Sequence, residues 1–284
     1  MSYRPRGEVV QQINAALYLR RPLLVTGPPG AGKSTLAYAV AHELKLGPVL
    51  HWPITSRVTL RDGLYQYDPL TRLYAASHRE KADVPAEEDI GNYIRLGPLG
   101  TALLPHDRPR VLLIDEIDKS DIDLPNDLLT IFEKGSYEIL ELARRAEPGA
   151  QVMTADGATS RAEVRDGIVR CRAFPLVIIT SNGEREFPPA FLRRCVTVEV
   201  KQPTEDELIE IVRMHLGELA DQAELVVERF FQRRTKGLLA TDQLLNAVFL
   251  CHHAQVEGAP GDVLALADKV MAYLGVADGN AYDD

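Results

Sequence analysis

Apolar positions recur at two different periods along this chain, and the changes of period lay out its elements. From Gly7 to Leu19, the residues Val9, Val10, Ile13, Ala16 and Leu17 fall at helical spacing, and Pro22 suits a helix that has just ended. Leu23 to Thr26 predicts a short buried strand that runs into a glycine-rich turn. Lys33 to Leu46 predicts a helix closed by Gly47-Pro48, and Val49 to Trp52 a second strand. Asp62 to His78, with tyrosines and leucines at mixed spacing, predicts one helix. Lys81 to Asp89 is polar and acidic and reads as a surface excursion. Ile90 to Pro105 sets Gly91, Gly97-Pro98 and Gly100 among apolar residues, which reads as loop with buried anchors.

Val111 to Ile114 is a continuous apolar run, of the kind buried on both faces of a parallel sheet. Leu124 to Phe132 predicts a helix. Asp156-Gly157 and Asp166-Gly167, with alternation from Val164 to Arg172, predict one or two β-hairpins. Pro175 to Thr180 and Val196 to Val200 predict two further strands. After Pro203 the texture changes. Thr204-Glu205-Asp206-Glu207 offers a hydroxyl to the unpaired N–H groups of a helix start, then acids against its dipole. Helices are predicted near 204–217, 222–235, 241–255 and 261–274, with no strand pattern among them. The chain thus divides near residue 202 into an α/β part and an all-helical part.

Composition narrows the function. The 284 residues carry 32 basic and 41 acidic side chains, a net charge of −9, which argues against a general nucleic-acid binder but not against a local basic site. One such patch is visible in Arg144, Arg145, Arg161, Arg165, Arg170 and Arg172; it reads as a solvated face, with partner docking as the alternative. Cys171, Cys195 and Cys251 are widely spaced and odd in number, so neither a disulfide framework nor a zinc ribbon is indicated. His252 and His253 are adjacent on a helix and share no face, so no metal pair is expected. Trp52 is expected in the core. The opening residues lack the apolar core of a signal peptide and no run is long enough to span a bilayer, so a cytoplasmic protein is expected.

The chemistry concentrates in four places. Gly27-Pro28-Pro29-Gly30-Ala31-Gly32-Lys33-Ser34 matches the spacing of a phosphate-binding loop and has the required strand before and helix after. Glycines let the backbone wrap close to phosphates, and successive N–H groups face the anion. Lys33 is expected at the β/γ-phosphates and Ser34 at Mg²⁺, with Thr35 counted in the nucleotide-binding set. The Val111–Ile114 strand delivers Asp115 and Glu116 to its carboxyl end, Asp115 to hold Mg²⁺ and Glu116 to orient the attacking water. A third strand ends in Thr180-Ser181-Asn182; alone, Asn182 reads more simply as a turn residue. Arg193-Arg194 precedes Cys195 and the last strand, placed to serve as a finger for a neighbouring subunit's γ-phosphate.

The order of these motifs resembles that of AAA+ ATPases. The stretches PLLVTGPPGAGKS, LLIDEIDKSDIDLPNDLL and ITSNGEREFPPAFLRRC resemble the MoxR-like, dynein-related branch. The resemblance implies an α/β P-loop NTPase fold with a parallel five-stranded sheet, β-hairpin and helix insertions within 54–105 and 146–173, and a C-terminal helical lid. It implies an ATPase domain at 1–202, a lid at 203–276 and an acidic tail at 277–284. It implies ATP and Mg²⁺ as ligands, Asn182 as sensor 1, Arg194 as the finger with Arg193 and Arg185 as alternates, and Tyr3 to Pro5 along the purine. It implies a homo-oligomeric ring, expected to be a hexamer, acting on a partner protein with a von Willebrand A domain, and no membrane or nucleic-acid partner. One departure stands out: Asp242 sits where relatives carry a sensor 2 arginine, and Arg233 or Arg234 are candidate substitutes. Two other readings stay open: a nucleotide-gated switch or scaffold that hardly hydrolyses, and a DNA-linked motor of the restriction type.

Overall fold

Fully buried apolar runs build the main sheet. The computed structural model describes residues 7–82, 89–144, 149–216, 224–234, 239–256 and 263–271. In chain order the elements are α1 (Gly7–Leu19), β1 (Leu23–Thr26), α2 (Lys33–Glu43), β2 (Leu50–Pro53), α3 (Leu60–Leu64), β3 (Tyr65–Tyr67), α4 (Pro69–Ala82), β4 (Ile94–Leu96) and α5 (Pro98–Ala102). They continue with β5 (Val111–Asp115), α6 (Leu124–Lys134), β6 (Ser136–Glu138), α7 (Leu140–Ala143), β7 (Gly149–Met153), β8 (Arg161–Arg165), β9 (Ile168–Arg170), β10 (Leu176–Ser181), α8 (Pro189–Leu192) and β11 (Val196–Glu199). Four helices close the order: α9 (Glu205–Leu216), α10 (Glu224–Arg234), α11 (Thr241–Val256) and α12 (Val263–Val270). The chain forms two compact units, one holding the described residues of 7–26 and 34–198, the other those of 27–33 and 199–271. Among the described residues, no helix is long and apolar enough to cross a membrane.

The first unit is built on a parallel five-stranded sheet in the order β11-β1-β10-β5-β2. Leu24 faces Ile179, Ile178 faces Leu113, and Trp52 faces Ile114 across parallel pairs. Val111 to Ile114 and Leu176 to Ile179 are buried throughout, as expected of strands covered on both faces. Each buried leucine here stabilises the fold by roughly 1.5–3 kcal/mol. The strands run parallel, so Thr26, Asp115 and Ser181 all end on the carboxyl side of the sheet, where open α/β folds bind ligands.

A second, six-stranded sheet lies in the same unit, in the order β3-β4-β7-β8-β9-β6. The expected hairpins are present, since β7 pairs antiparallel with β8, and Arg165 of β8 faces Ile168 of β9. Both insertions feed this one sheet, joined where Arg95 of β4 faces Met153 of β7. Its inward residues Tyr65, Ile94, Leu96, Val152, Val164 and Val169 are continuous with the apolar cluster of Leu112, Ile114 and Ile179.

Three expectations need correction. Asp62 to His78 is not one helix: α3 ends and β3 intervenes before α4 begins. The physical reason is two separate helix starts. Thr59 and Asp62 form a reciprocal capping box for α3, and Asp68 accepts the Thr71 N–H at 2.9 Å just ahead of Pro69, a proline suited to a first helical turn. Ile90 to Pro105 is not loop: it holds a 3₁₀ turn at Ile90–Tyr93, then β4 and α5, with Ile94, Leu96, Leu99 and Leu103 fully buried. The helix after the glycine-rich turn stops at Glu43, short of Leu46, where Lys45 takes a left-handed φ of 52°. Lys81 and Ala82 still belong to α4, and most of the acidic excursion that follows lies outside the described residues.

The second unit is helical. Thr204 and Glu207 cap α9 reciprocally, with the Thr204 N–H reaching Glu207 at 2.8 Å. Leu208, Val212, Phe230, Leu244, Val248 and Ala267 form its core.

Candidate functional site

At the carboxyl end of β5 the first unit gathers a set of oxygen ligands. Ser34 Oγ donates to Asp115 Oδ1 at 2.7 Å, although 81 positions separate the two residues. Thr180, buried at the end of β10, donates to the same carboxylate oxygen at 2.6 Å. The Thr180 hydroxyl also accepts the backbone N–H of Glu116 at 2.9 Å. One buried hydroxyl therefore fixes the orientation of both acidic residues. His51 Nε2 lies 3.2 Å from the other Asp115 oxygen. A hydroxyl beside a carboxylate is the hard-oxygen donor set that Mg²⁺ takes, and so Ser34 and Asp115 fit that ion.

Glu116 sits in a left-handed backbone conformation, φ 62° and ψ 49°, uncommon outside glycine. Its carboxylate pairs with Lys119 at 2.7 Å and is 42% exposed, open enough to meet water. This hydrogen bond pushes the Lys119 ammonium up from its ordinary value.

The turn at 182–184 is held from below by Asp118. Asp118 Oδ2 accepts the backbone N–H groups of Asn182 at 2.9 Å and Glu184 at 3.2 Å. Gly183 carries a φ of 79° within that turn. Asp118 is buried, and neither it nor Thr180 carried a role in the sequence reading. Asp118 stands inside the quoted LLIDEID stretch, but only the parallel pairing of β5 with β10 brings it under Asn182.

Arg193 and Arg194 follow α8 and precede β11, whose first N–H, from Val196, bonds to Pro22 O at 2.8 Å. That places them at the amino ends of β1 and β11, a strand length or about 15 Å from the Asp115 end. Arg194 Nε pairs with Glu133 at 2.7 Å and its Nη1 reaches Ala190 O at 3.2 Å. Arg193 is exposed, and its carbonyl accepts from Arg21. Arg185 donates to Ser120 Oγ and Asp121 O. Among the described residues, none of the three arginines bonds to Asp115 or Glu116 within one chain.

The glycine-rich loop groups with the second unit. Lys33 Nζ donates to the Gly27 and Pro28 carbonyls at 2.8 Å each. Gly27 has a φ of 149°, and a Cβ there would come within 2.2 Å of Val200 O. Gly30 has a φ of 70°, and a Cβ there would meet that of Ala240 at 2.4 Å. Both positions therefore demand glycine for space as well as conformation. Arg234 bonds Gln202 Oε1 at 2.6 Å and Pro203 O at 2.7 Å, and Arg233 pairs with Asp268 at 3.1 Å. Asp242 lies in the first turn of α11, but its side chain is outside the described residues, as are Tyr3 to Pro5.

A glycine-rich strand–loop–helix, with the helix serine bonded to an aspartate at the end of another parallel strand of the same sheet, defines a P-loop nucleotide-binding fold. Residues 22–195, more than half of the chain, match the AAA domain of the dynein-related subfamily, and the chain belongs to that family. Family membership supports ATP binding with Mg²⁺ and ATPase-type activity in general. Among solved structures, a point mutant of Thermotoga maritima RuvB matches with a TM-score of 0.49 and 17% identity, covering 93% of this chain and 67% of that one. No curated protein matches the chain.

Replacing Thr180 with valine keeps the shape and removes both hydrogen bonds. ATP turnover is expected to fall about 10–100-fold, the usual cost of losing a residue that orients a metal ligand. Thr180→Ser should restore most of it, and phosphate-release assays across a Mg²⁺ titration check both variants.

Proposed function

We propose that this chain is a ring-forming, MoxR-like ATPase that hydrolyses ATP and uses the cycle to remodel or activate a partner protein. The observation that carries the hydrolytic reading is the Ser34–Asp115 hydrogen bond with Thr180 tying in Glu116. In this reading the loop residues Gly27 to Ser34, with Thr35 behind them, hold the triphosphate, and Lys33 carries positive charge to its β and γ groups. Ser34 and Asp115 would hold Mg²⁺, which neutralises charge on the phosphate oxygens when bound. Glu116 accepts the proton of the attacking water, and Asn182 orients that water from its buttressed turn. Residues 1–202 act as the ATPase domain and 203–276 as the lid, with the acidic tail at 277–284 outside both.

The position of Arg194 supports assembly. It sits at the far strand ends from Glu116, so it serves a γ-phosphate only if that phosphate belongs to a neighbouring subunit. A closed hexamer satisfies every site in turn, since a head-to-tail contact that closes makes a ring. The second sheet and α4 are the surfaces we assign to the partner protein, of which a von Willebrand A domain is the type the resemblance favours. Sedimentation velocity tests the assembly: Glu116→Gln with Mg-ATP is expected to sediment as a single ring species, and with ADP as smaller species. A monomer in both nucleotides would overturn the ring.

A further inference from the structure

A cleft of about 520 Å³ opens at the amino ends of β1 and β10, the opposite end of the sheet from Asp115. Its floor is apolar, formed by Leu129, Phe132, Phe174 and Pro22. Its rim is cationic. Arg20, Lys134 and Arg170 converge on it, joined by Arg21, Arg172 and Arg194. Among the described residues Glu133 is the sole acid in its lining, and its carboxylate is engaged by Arg194. Arg172 is paired with Asp107 outside the cleft. Among the described residues, the other four cations, Arg20, Arg21, Lys134 and Arg170, form no ion pair, in a chain whose net charge is −9.

Backbone hydrogen bonds fix the segments that line the cleft. Arg20 adopts a φ of 52°, a conformation uncommon for a residue with a Cβ, and the Arg21 N–H bonds Ala16 O at 3.0 Å just beside it. Gly135 ends α6 at a φ of 59°, and its carbonyl accepts the Cys171 N–H at 2.9 Å. Ser136 faces Arg170 in the β6–β9 ladder, which sets Lys134 and Arg170 on adjoining walls. Like charges held together on fixed backbone repel one another, and an anion relieves that repulsion. Guanidinium groups present paired N–H donors that match phosphate oxygens two at a time.

We propose that this cleft is a second anion site, separate from the glycine-rich loop, that takes a small ligand carrying a run of phosphates. Arg20, Arg170 and Lys134 hold the phosphates, and the Phe132–Phe174 floor seats whatever apolar group they carry. Arg194 also lines the cleft and is the residue assigned above to a neighbouring subunit's γ-phosphate, so the test is run on the loop-disabled chain and reads ligand protection rather than turnover.

Cys171 reports on it directly. Its thiol lines the cleft and is half-buried, whereas Cys195 and Cys251 are buried and serve as internal references. The full-length Lys33→Ala variant, whose loop is disabled, is alkylated with neutral iodoacetamide and each cysteine followed by peptide mass spectrometry. Tripolyphosphate is expected to slow alkylation of Cys171 about tenfold once it exceeds its dissociation constant about tenfold, and to leave Cys195 and Cys251 unchanged. The protection is expected to weaken with added salt and to vanish in Lys134→Glu/Arg170→Glu, with Arg170→Gln as a milder variant should the double one fold poorly. ATP in place of tripolyphosphate separates a bare phosphate chain from a nucleotide as the ligand, and protection by either supports the site. The proposal fails if neither protects Cys171, or if protection survives loss of Lys134 and Arg170. It also fails if only an oligo-aspartate peptide protects, which would make the cleft a docking site for an acidic protein. Protection seen only in assembled wild-type protein would make it a subunit contact instead.

Discussion

Glu116→Gln is expected to lower ATP turnover by about 10²–10³-fold while leaving nucleotide affinity within about twofold, because a general base contributes on the order of 10²–10⁴-fold to rate and little to binding. Glutamine keeps the size and the position at the end of β5. It cannot take the proton from water. The Glu116 backbone N–H is held by Thr180, so the substituted side chain starts from the same place. Loss of charge also frees Lys119, which is exposed and lies one 3₁₀ turn away. Fluorescent ATP-analogue titration and steady-state phosphate release check the two halves of the expectation separately. Unchanged turnover would remove Glu116 from the chemistry.

Arg194→Ala is expected to lower turnover about 10³-fold, toward the lower end of what an arginine finger contributes. Arg193→Ala is expected to change it less than about threefold, in line with the small effects of exposed surface changes. Arg194 and Glu116 lie at opposite ends of parallel strands, so a loss of this size has to act between subunits. Mixing supplies the check. Arg194→Ala subunits retain their own loop, and Lys33→Ala subunits retain their own finger. Neither is active alone, and an equimolar mixture is expected to recover a sizeable part of wild-type turnover. A mixture as inactive as its parts would mean that Arg194 acts within its own chain or only on stability. Glu133 is the partner that holds Arg194 in the single chain, and that ion pair has to open for the finger to reach out.

The main sheet could be read from the chain because its strands are the ones buried on both faces. Val111 to Ile114 and Leu176 to Ile179 are continuous apolar runs, and no competing pattern explains them. The second sheet could not be read as one sheet. β3, β4, β6 and β9 are three residues each, too short for alternation to register, and the pairings β3–β4, β4–β7 and β6–β9 join segments far apart in sequence. β3 was hidden because Tyr65 and Tyr67 continue a spacing that a helix also tolerates; the signal that breaks it is Asp68-Pro69-Leu70-Thr71, an N-cap with a first-turn proline. In the candidate site, the loop and the Asp115–Glu116 pair are consecutive residues, so spacing alone exposes them. Thr180 and Asp118 act across the β5–β10 pairing, and a role that depends on register has no linear signature. Arg20, Lys134 and Arg170 are likewise scattered over three segments. The basic run in the insertion pointed toward Arg170 and Arg172, while only the fold adds Arg20 and Lys134.

The central claim is that this chain breaks the bond to the γ-phosphate rather than only sensing the nucleotide. Single-turnover hydrolysis decides it. Full-length protein in excess over γ-labelled ATP, with Mg²⁺, is followed by quenching and separation of the label. The account predicts complete, Mg²⁺-dependent release of labelled phosphate by the wild type, with bound ATP left intact in Glu116→Gln. Wild-type protein that holds the labelled ATP tightly and returns it unhydrolysed would contradict the account and leave a nucleotide-gated switch in its place.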